Sequence, residues 1–227
     1  MMDLHGYGWM LWEGAAMTLV VAILAMALGC VLGLVGAVAK LSVRSGLRRA
    51  ADLYTTVVRG VPELVLILLV YYGVPTVAQD LAETWGEPVV FDLDPFIAGV
   101  LTLGFIYGAF ATEVFRGAFL AVPRGQIEAA SSLGMGPGLA FRKILFPQML
   151  RYALPGLGNV WLVLLKATAL VSVIQLEDLM RKAQIAAGAT REPFTFYFSA
   201  SLLFLGLTVV SLYAIRRGER WAERGLR

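Results

Sequence analysis

Charged side chains are spaced unevenly along this chain, and the gaps between them carry the first structural signal. Between Glu13 and Lys40 no charge interrupts the sequence, and none interrupts it between Glu192 and Arg216. A helix crosses a bilayer with roughly 17 to 25 mostly apolar residues, so each of these stretches can span unaided. From Pro95 to Thr112 the chain is again uncharged, and it runs on through Glu113 and Arg116 to about Ala121. Two further stretches reach spanning length only by enclosing ionisable groups. One, about 54–77, encloses Arg59 and Glu63, and the other, about 153–176, encloses Lys166. The pattern predicts five membrane helices, about 15–39, 54–77, 95–121, 153–176 and 193–215, in one all-α membrane domain covering residues 1–227.

Composition agrees with this assignment. Of 227 residues 59% are hydrophobic and 15% charged, with a mean hydropathy of +0.74, too apolar for an ordinary soluble domain. No basic region precedes the first apolar stretch, so it is expected to stay in place and not to be removed as a secretory signal. The lone Cys30 has no disulfide partner and the lone His5 no companion ligands, so neither points to chemistry.

Basic residues near span ends set orientation. Lys40, Arg44, Arg48 and Arg49 follow the first span, and Arg124, Arg142, Lys143 and Arg151 follow the third. Arg216, Arg217, Arg220, Arg224 and Arg227 follow the fifth, against only Arg181, Lys182 and Arg191 on the opposite side. The expected topology has a periplasmic amino terminus and a cytoplasmic carboxyl terminus. The outer connection between spans two and three holds Asp80, Glu83, Glu87, Asp92 and Asp94 without a basic residue. It is either a rim that attracts cations or a solvated loop.

Intramembrane charge is costly and faces the bundle interior, a partner or water. Arg59, Glu63, Glu113, Arg116, Lys166 and the nearby Thr168 are therefore the candidates for a solute path, with Tyr71, Tyr72, Tyr107 and Trp161 as packing or solute-facing aromatics. Glu63 follows Arg59 by four residues and Arg116 follows Glu113 by three, which on a continuous helix favours local ion pairs. Nothing here resembles a catalytic centre: there is no Gly-Lys-Ser/Thr phosphate loop and no nucleophile–base set. The chain is expected not to be an enzyme, and to hold no cofactor or metal of its own.

The segment 122–151 reads differently. Glu128, Ala129 and Ala130 begin a run of helix formers ending at Gly134, Gly136 to Gly138 force a turn, and a second short helix leads to Pro147. Small residues at Ala129 and Ala130 would let another protein approach closely, with the Glu128 carboxylate offered to it.

The spacing Glu-Ala-Ala, three residues, Gly, nine residues, Ile, one residue, then a residue and Pro resembles the signature loop of binding-protein-dependent ABC importers. Glu128, Ala129, Ala130, Gly134, Ile144 and Pro147 match it, and Phe146 stands where the family usually has Leu. The runs around Arg59–Gly73, Asp92–Gly125 and Leu154–Leu179 are similar to polar amino-acid permeases. The run Asp92–Pro123 most resembles the Q-type subunits of histidine/lysine/arginine/ornithine transporters. The resemblance implies a type I ABC importer permease fold in a bacterial inner membrane. It also implies coupling helices docked on a dimer of ATP-binding subunits that hold ATP and Mg, a periplasmic solute-binding protein, and polar amino acids as cargo. Many relatives carry an acid directly after the lysine of the fourth span, where this chain has Ala167, so the resemblance implies a second permease subunit, either a non-identical one that supplies that acid or an identical one in a homodimer. Rival readings are a non-transporting membrane scaffold, an energy-independent channel, and the same machine carrying glutamine, glutamate or opines. No nucleic-acid partner is expected.

Overall fold

The computed structural model describes residues 4–85 and 92–223. The helices are α1 (Gly8–Lys40), α2 (Ser45–Gly60), α3 (Glu63–Thr84), α4 (Pro95–Ala121), α5 (Arg124–Ser132), α6 (Pro137–Ile174), α7 (Leu179–Thr190) and α8 (Pro193–Glu223). Among the described residues there is no strand, and five helices (α1, α3, α4, α6 and α8) are long and apolar enough to cross a membrane. Glu87, Arg224 and Arg227 lie outside the described residues.

Local chemistry sets the boundaries. Asp94 caps α4, its Oδ1 accepting from the backbone N–H groups of Phe96 and Ile97 at 3.0 Å each, and Pro95 occupies the first turn where its missing donor costs nothing. Helix α5 starts one turn earlier than the sequence suggests, at Arg124, and ends through Gly134 at φ +77, a left-handed conformation that a Cβ disfavours. The run beyond Gly136 does not stop at Pro147 but continues into the fourth span. Pro147 would clash with the carbonyl four residues back, and the turn Phe141–Leu145 is widened to π geometry just there. Pro75 in α3 follows the π turn Leu69–Gly73 in the same way.

The second span departs most from expectation. Pro62 drives Val61 into extended backbone at φ −100, ψ 136, so the chain breaks between α2 and α3. The long apolar helix is Glu63–Thr84, whereas α2 is amphipathic, packing Ala51, Thr55 and Val58 inward and leaving Leu53 and Val57 outside. Arg59 and Glu63 consequently sit on two helices and do not share a helical face.

The centre of the bundle is the α1–α4 pair. A Cβ placed on Gly33 would lie 2.6 Å from the Ala111 Cβ, one on Gly29 would lie 3.3 Å from the Gly108 nitrogen, and one on Gly36 would strike Thr112. On the opposite side, a Cβ on Gly104 would meet Leu28 at 2.6 Å and one on Gly108 would meet Leu32 at 2.9 Å. Gly29–Gly33 and Gly104–Gly108 are both small residues four apart, the spacing that lets membrane helices approach backbone to backbone. Val21, Ala25, Leu103, Ile106, Leu164 and Val171 fill the core around this contact.

Each end of the pair is braced by charge. At the end where α1 finishes, Lys40 Nζ lies 2.6 Å from Glu113 Oε1 and 3.0 Å from Asp52 Oδ1, while Arg116 Nε lies 2.9 Å from Glu113 Oε2. This network ties α1, α2 and α4 together, and the Lys40 side chain is only 9% exposed. At the other end Lys182 Nζ pairs with Glu13 at 2.9 Å, and Leu179 N–H donates to Thr18 Oγ1 at 3.1 Å. Asp178, fully buried, caps α7 by accepting from Arg181 N–H at 2.8 Å, but its Oδ2 has no hydrogen-bond partner among the described residues. Burial pushes its carboxyl up from 3.8 to about 6, and its own cap bonds only partly oppose this.

Two outcomes follow from these braces. Lys40→Met, which leaves Glu113 paired with Arg116 alone and Asp52 to solvent, is expected to lower stability by about 2 kcal/mol in thermal or denaturant melts of the purified protein. The double variant with Glu113→Gln should lose less than the two single losses added together. For Asp178 the folded acid is favoured over the folded anion, so its stabilising contribution is complete below the unfolded value of 3.8 and disappears as pH rises through about 6. Asp178→Asn keeps a capping oxygen and should therefore melt higher than the parent at pH about 7.5, with the gap closing towards pH about 4.

Candidate coupling loop and polar break

Helix α5 leaves α4 through only Val122 and Pro123, so the orientation of α4 fixes where the loop projects. Glu128 and Ala129 lie on the exposed side of α5, while Ala130 is 3% exposed and packs inward. A partner can therefore approach over Glu128 and Ala129 but not over Ala130. Leu133, at the end of α5, is a large apolar side chain that is 83% exposed. Gly134 is exposed in the turn, Ile144 is half-buried, and Pro147 is exposed. Phe146 is half-buried and its ring centroid lies 6.1 Å from that of Phe141, which in turn lies 6.5 Å from Phe119 of α4. The aromatic at position 146 thus belongs to a three-ring contact joining the start of α6 to the end of α4.

The polar break in the second span lies against the middle of α4. Glu63 Oε1 accepts from the Tyr107 hydroxyl at 3.0 Å, and the Arg59 guanidinium lies 5.2 Å from the Phe110 ring centroid. Tyr107 is 1% exposed, and its ring stacks on Phe110 at 5.6 Å. No ion pair joins Arg59 to Glu63 among the described residues; each instead uses an aromatic of α4. The first N–H groups of α3 have no helical acceptor, because a helix start leaves them unbonded. A half-helix start with an arginine beside it favours a carboxylate, and Glu63 favours an ammonium group. The break thus places a helix start and an arginine near a carboxylate.

The remaining candidates separate from this pair. Glu113 and Arg116 form the expected local pair and belong to the Lys40 brace. Lys166 is exposed and lines a groove of about 310 Å3 with Met180, Tyr197, Ser201 and Phe204, with no ion pair among the described residues. Thr168 is fully buried and donates to the Leu165 carbonyl at 2.7 Å. Tyr71 and Tyr72 contact each other edge to face at 4.9 Å, and Trp161 lines a groove between α6 and α8. Tyr107 proves to be the partner of Glu63, a contact across 44 residues that spacing along one helix does not reveal. Lys40 and Asp52, which complete the brace, were not singled out from sequence; a lysine directly ending an uncharged run was the available signal.

Residues 29–220 match the family model for the inner membrane component of binding-protein-dependent transport systems. The nopaline transport system permease protein of Agrobacterium fabrum is 49% identical over 223 residues, spanning 98% of this chain and 94% of that protein. The histidine/lysine/arginine/ornithine transport system permease protein of Salmonella typhimurium is 49% identical over 208 residues, spanning 92% of this chain and 91% of that one. A crystal structure of an amino acid ABC transporter with histidines contains a chain that superposes with a TM-score of 0.80 at 34% identity, covering 94% of each chain. With five helices of spanning length arranged as in that transporter, this multi-pass inner-membrane chain belongs to the family of binding-protein-dependent transport system inner membrane components.

Proposed function

We propose that this chain is the membrane subunit of an ATP-driven importer of basic amino acids, with α5 docking an ATP-binding subunit and the break at Gly60–Glu63 receiving the solute. The observation that carries the reading is the pairing, on one helix, of a mid-bundle polar break with an exposed docking loop. Tyr107 and Phe110 in the middle of α4 hold Glu63 and Arg59, and α4 then runs directly into α5. A shift of α5 is thereby passed along a single helix to the polar break. The family supports an ATP-binding subunit and a solute-binding protein as partners; in this reading the former holds ATP with its Mg. The basic ends of α1, α4 and α8 support a cytoplasmic position for the loop and carboxyl terminus, and a periplasmic one for the amino terminus.

A second permease subunit, different from this one, completes the assembly. Ala167 supplies no charge beside Lys166, so an acid for a cationic side chain comes from that partner or from Glu63 alone. The relative named for nopaline supports an opine as the alternative cargo.

Uptake into vesicles containing the complete importer, with labelled arginine, histidine, lysine, glutamine and nopaline, tests the cargo. Arginine-class uptake that needs ATP and the binding protein is the expected result, and glutamine uptake of equal efficiency would contradict it. Glu63→Gln keeps the Tyr107 bond but removes the charge, so arginine uptake should fall about tenfold or more, as for loss of a charge-assisted contact. Glutamine uptake through the same variant should change much less. Equal losses for both solutes would assign Glu63 to folding.

A further inference from the structure

Helix α8 carries two adjoining features at its carboxyl-terminal end that the transport reading leaves unused. It has 31 residues, so it is about 46 Å long against a hydrocarbon core of about 30 Å. Counting from Pro193, about 30 Å of helix ends near Tyr213, and the next two turns lie at headgroup level. On those turns Tyr213, Arg217, Arg220 and Trp221 follow the i, i+4, i+7, i+8 spacing of a single helical face and line a cavity of about 260 Å3. Tyr213 is 62% and Trp221 71% exposed, as in the aromatic belts of membrane proteins. Arg220 Nε donates to the Arg216 carbonyl at 3.2 Å, and neither Arg217 nor Arg220 has an ion pair among the described residues.

Beside this basic face runs an apolar groove of about 440 Å3 between α1, α6 and α8, lined by Met26, Leu157, Trp161, Val210 and Ile215 among others. Val210 and Ala214 border both features, since they lie on the α8 surface between Ile215 and Arg217. Glu219 closes the groove at its far side, away from Arg217. A groove for a hydrocarbon chain that opens onto two arginines at headgroup depth has the chemistry of one ligand. Guanidinium groups bind phosphate through paired N–H donors, and Tyr and Trp favour the interfacial layer.

We propose that the α8 end is a binding site for an anionic phospholipid of the cytoplasmic leaflet, with one acyl chain in the Trp161–Ile215 groove and the phosphodiester between Arg217 and Arg220. The leaflet assignment rests on the orientation proposed above, while the site itself rests on the groove and the arginines. A lipid held there bridges α6 and α8 below the Lys166 groove, and so makes the packing of α8 responsive to headgroup charge.

Native mass spectrometry of the purified importer tests this by titration with dioleoylphosphatidylglycerol and dioleoylphosphatidylcholine. The anionic lipid should be retained preferentially, and Arg217→Gln with Arg220→Gln should reduce that preference about 30-fold, or about 2 kcal/mol at about 1 kcal/mol per arginine. Ser211→Trp, which fills the groove, should reduce retention of both lipids, while Arg48→Gln with Arg49→Gln should leave the preference as it was. Equal retention of the two lipids overturns the proposal. So does displacement by excess inorganic phosphate, which would mark a free-anion site, or a photo-crosslink from position 217 to another polypeptide instead of lipid. Elution of each variant as an intact complex separates lipid loss from misfolding. The measurement needs no transport, so failure of the importer reading leaves its outcome unaffected.

Discussion

The close approach of α1 and α4 is the constraint on which the rest of the bundle depends. Small residues at Gly29, Gly33 and Gly36 face Gly108, Ala111 and Thr112; a Cβ would be tight at Gly29 and would overlap its neighbours at Gly33 and Gly36. In a bilayer no hydrophobic effect drives helices together, so van der Waals contact between backbones has to supply the association. A Cβ at Gly33 or Gly36 therefore requires the two helices to shift apart. The charge network around Lys40 and the Lys182–Glu13 pair act at the two ends of this contact, fixing α2 and α7 against α1.

Helix α4 then works as a rod with two loads. At mid-length it holds the Tyr107 hydroxyl against Glu63 and the Phe110 ring against Arg59; at its end it continues through two residues into α5. The contact of Phe119, Phe141 and Phe146 ties the start of α6 to the same end. Helix α5, the broken second span and the fourth span are therefore all joined to one helix. The break itself follows from Pro62, which cannot continue α2 and leaves a helix start, an arginine and a carboxylate together in the middle of the bundle.

Much of this was legible in the residues alone. Uninterrupted apolar runs located α1, α4 and α8, including the start of α4 at Pro95, because these signals act locally. The helix of segment 122–151 and its end at Gly134 were legible through their spacing. The second span was misplaced because an apolar window averages over Pro62, whereas the backbone does not. The fourth span begins earlier than expected because a π turn accommodates Pro147, and such a turn leaves no mark on hydropathy. Helix α7 is short and mixed in polarity, so nothing separates it from a loop until its packing on α1 and α8 is known. The two pairs of glycines four apart were present in the sequence, yet their meaning depends on which helices face each other. Ala129 and Ala130 look alike in sequence, and only tertiary contact buries one and exposes the other.

The most direct test of the account uses a photo-crosslinking residue in place of Glu128 in native membranes, with the adduct identified by mass. The account predicts attachment to an ATP-hydrolysing subunit, with a yield that changes when nucleotide is trapped. Attachment only to lipid, or to a periplasmic protein, would contradict it.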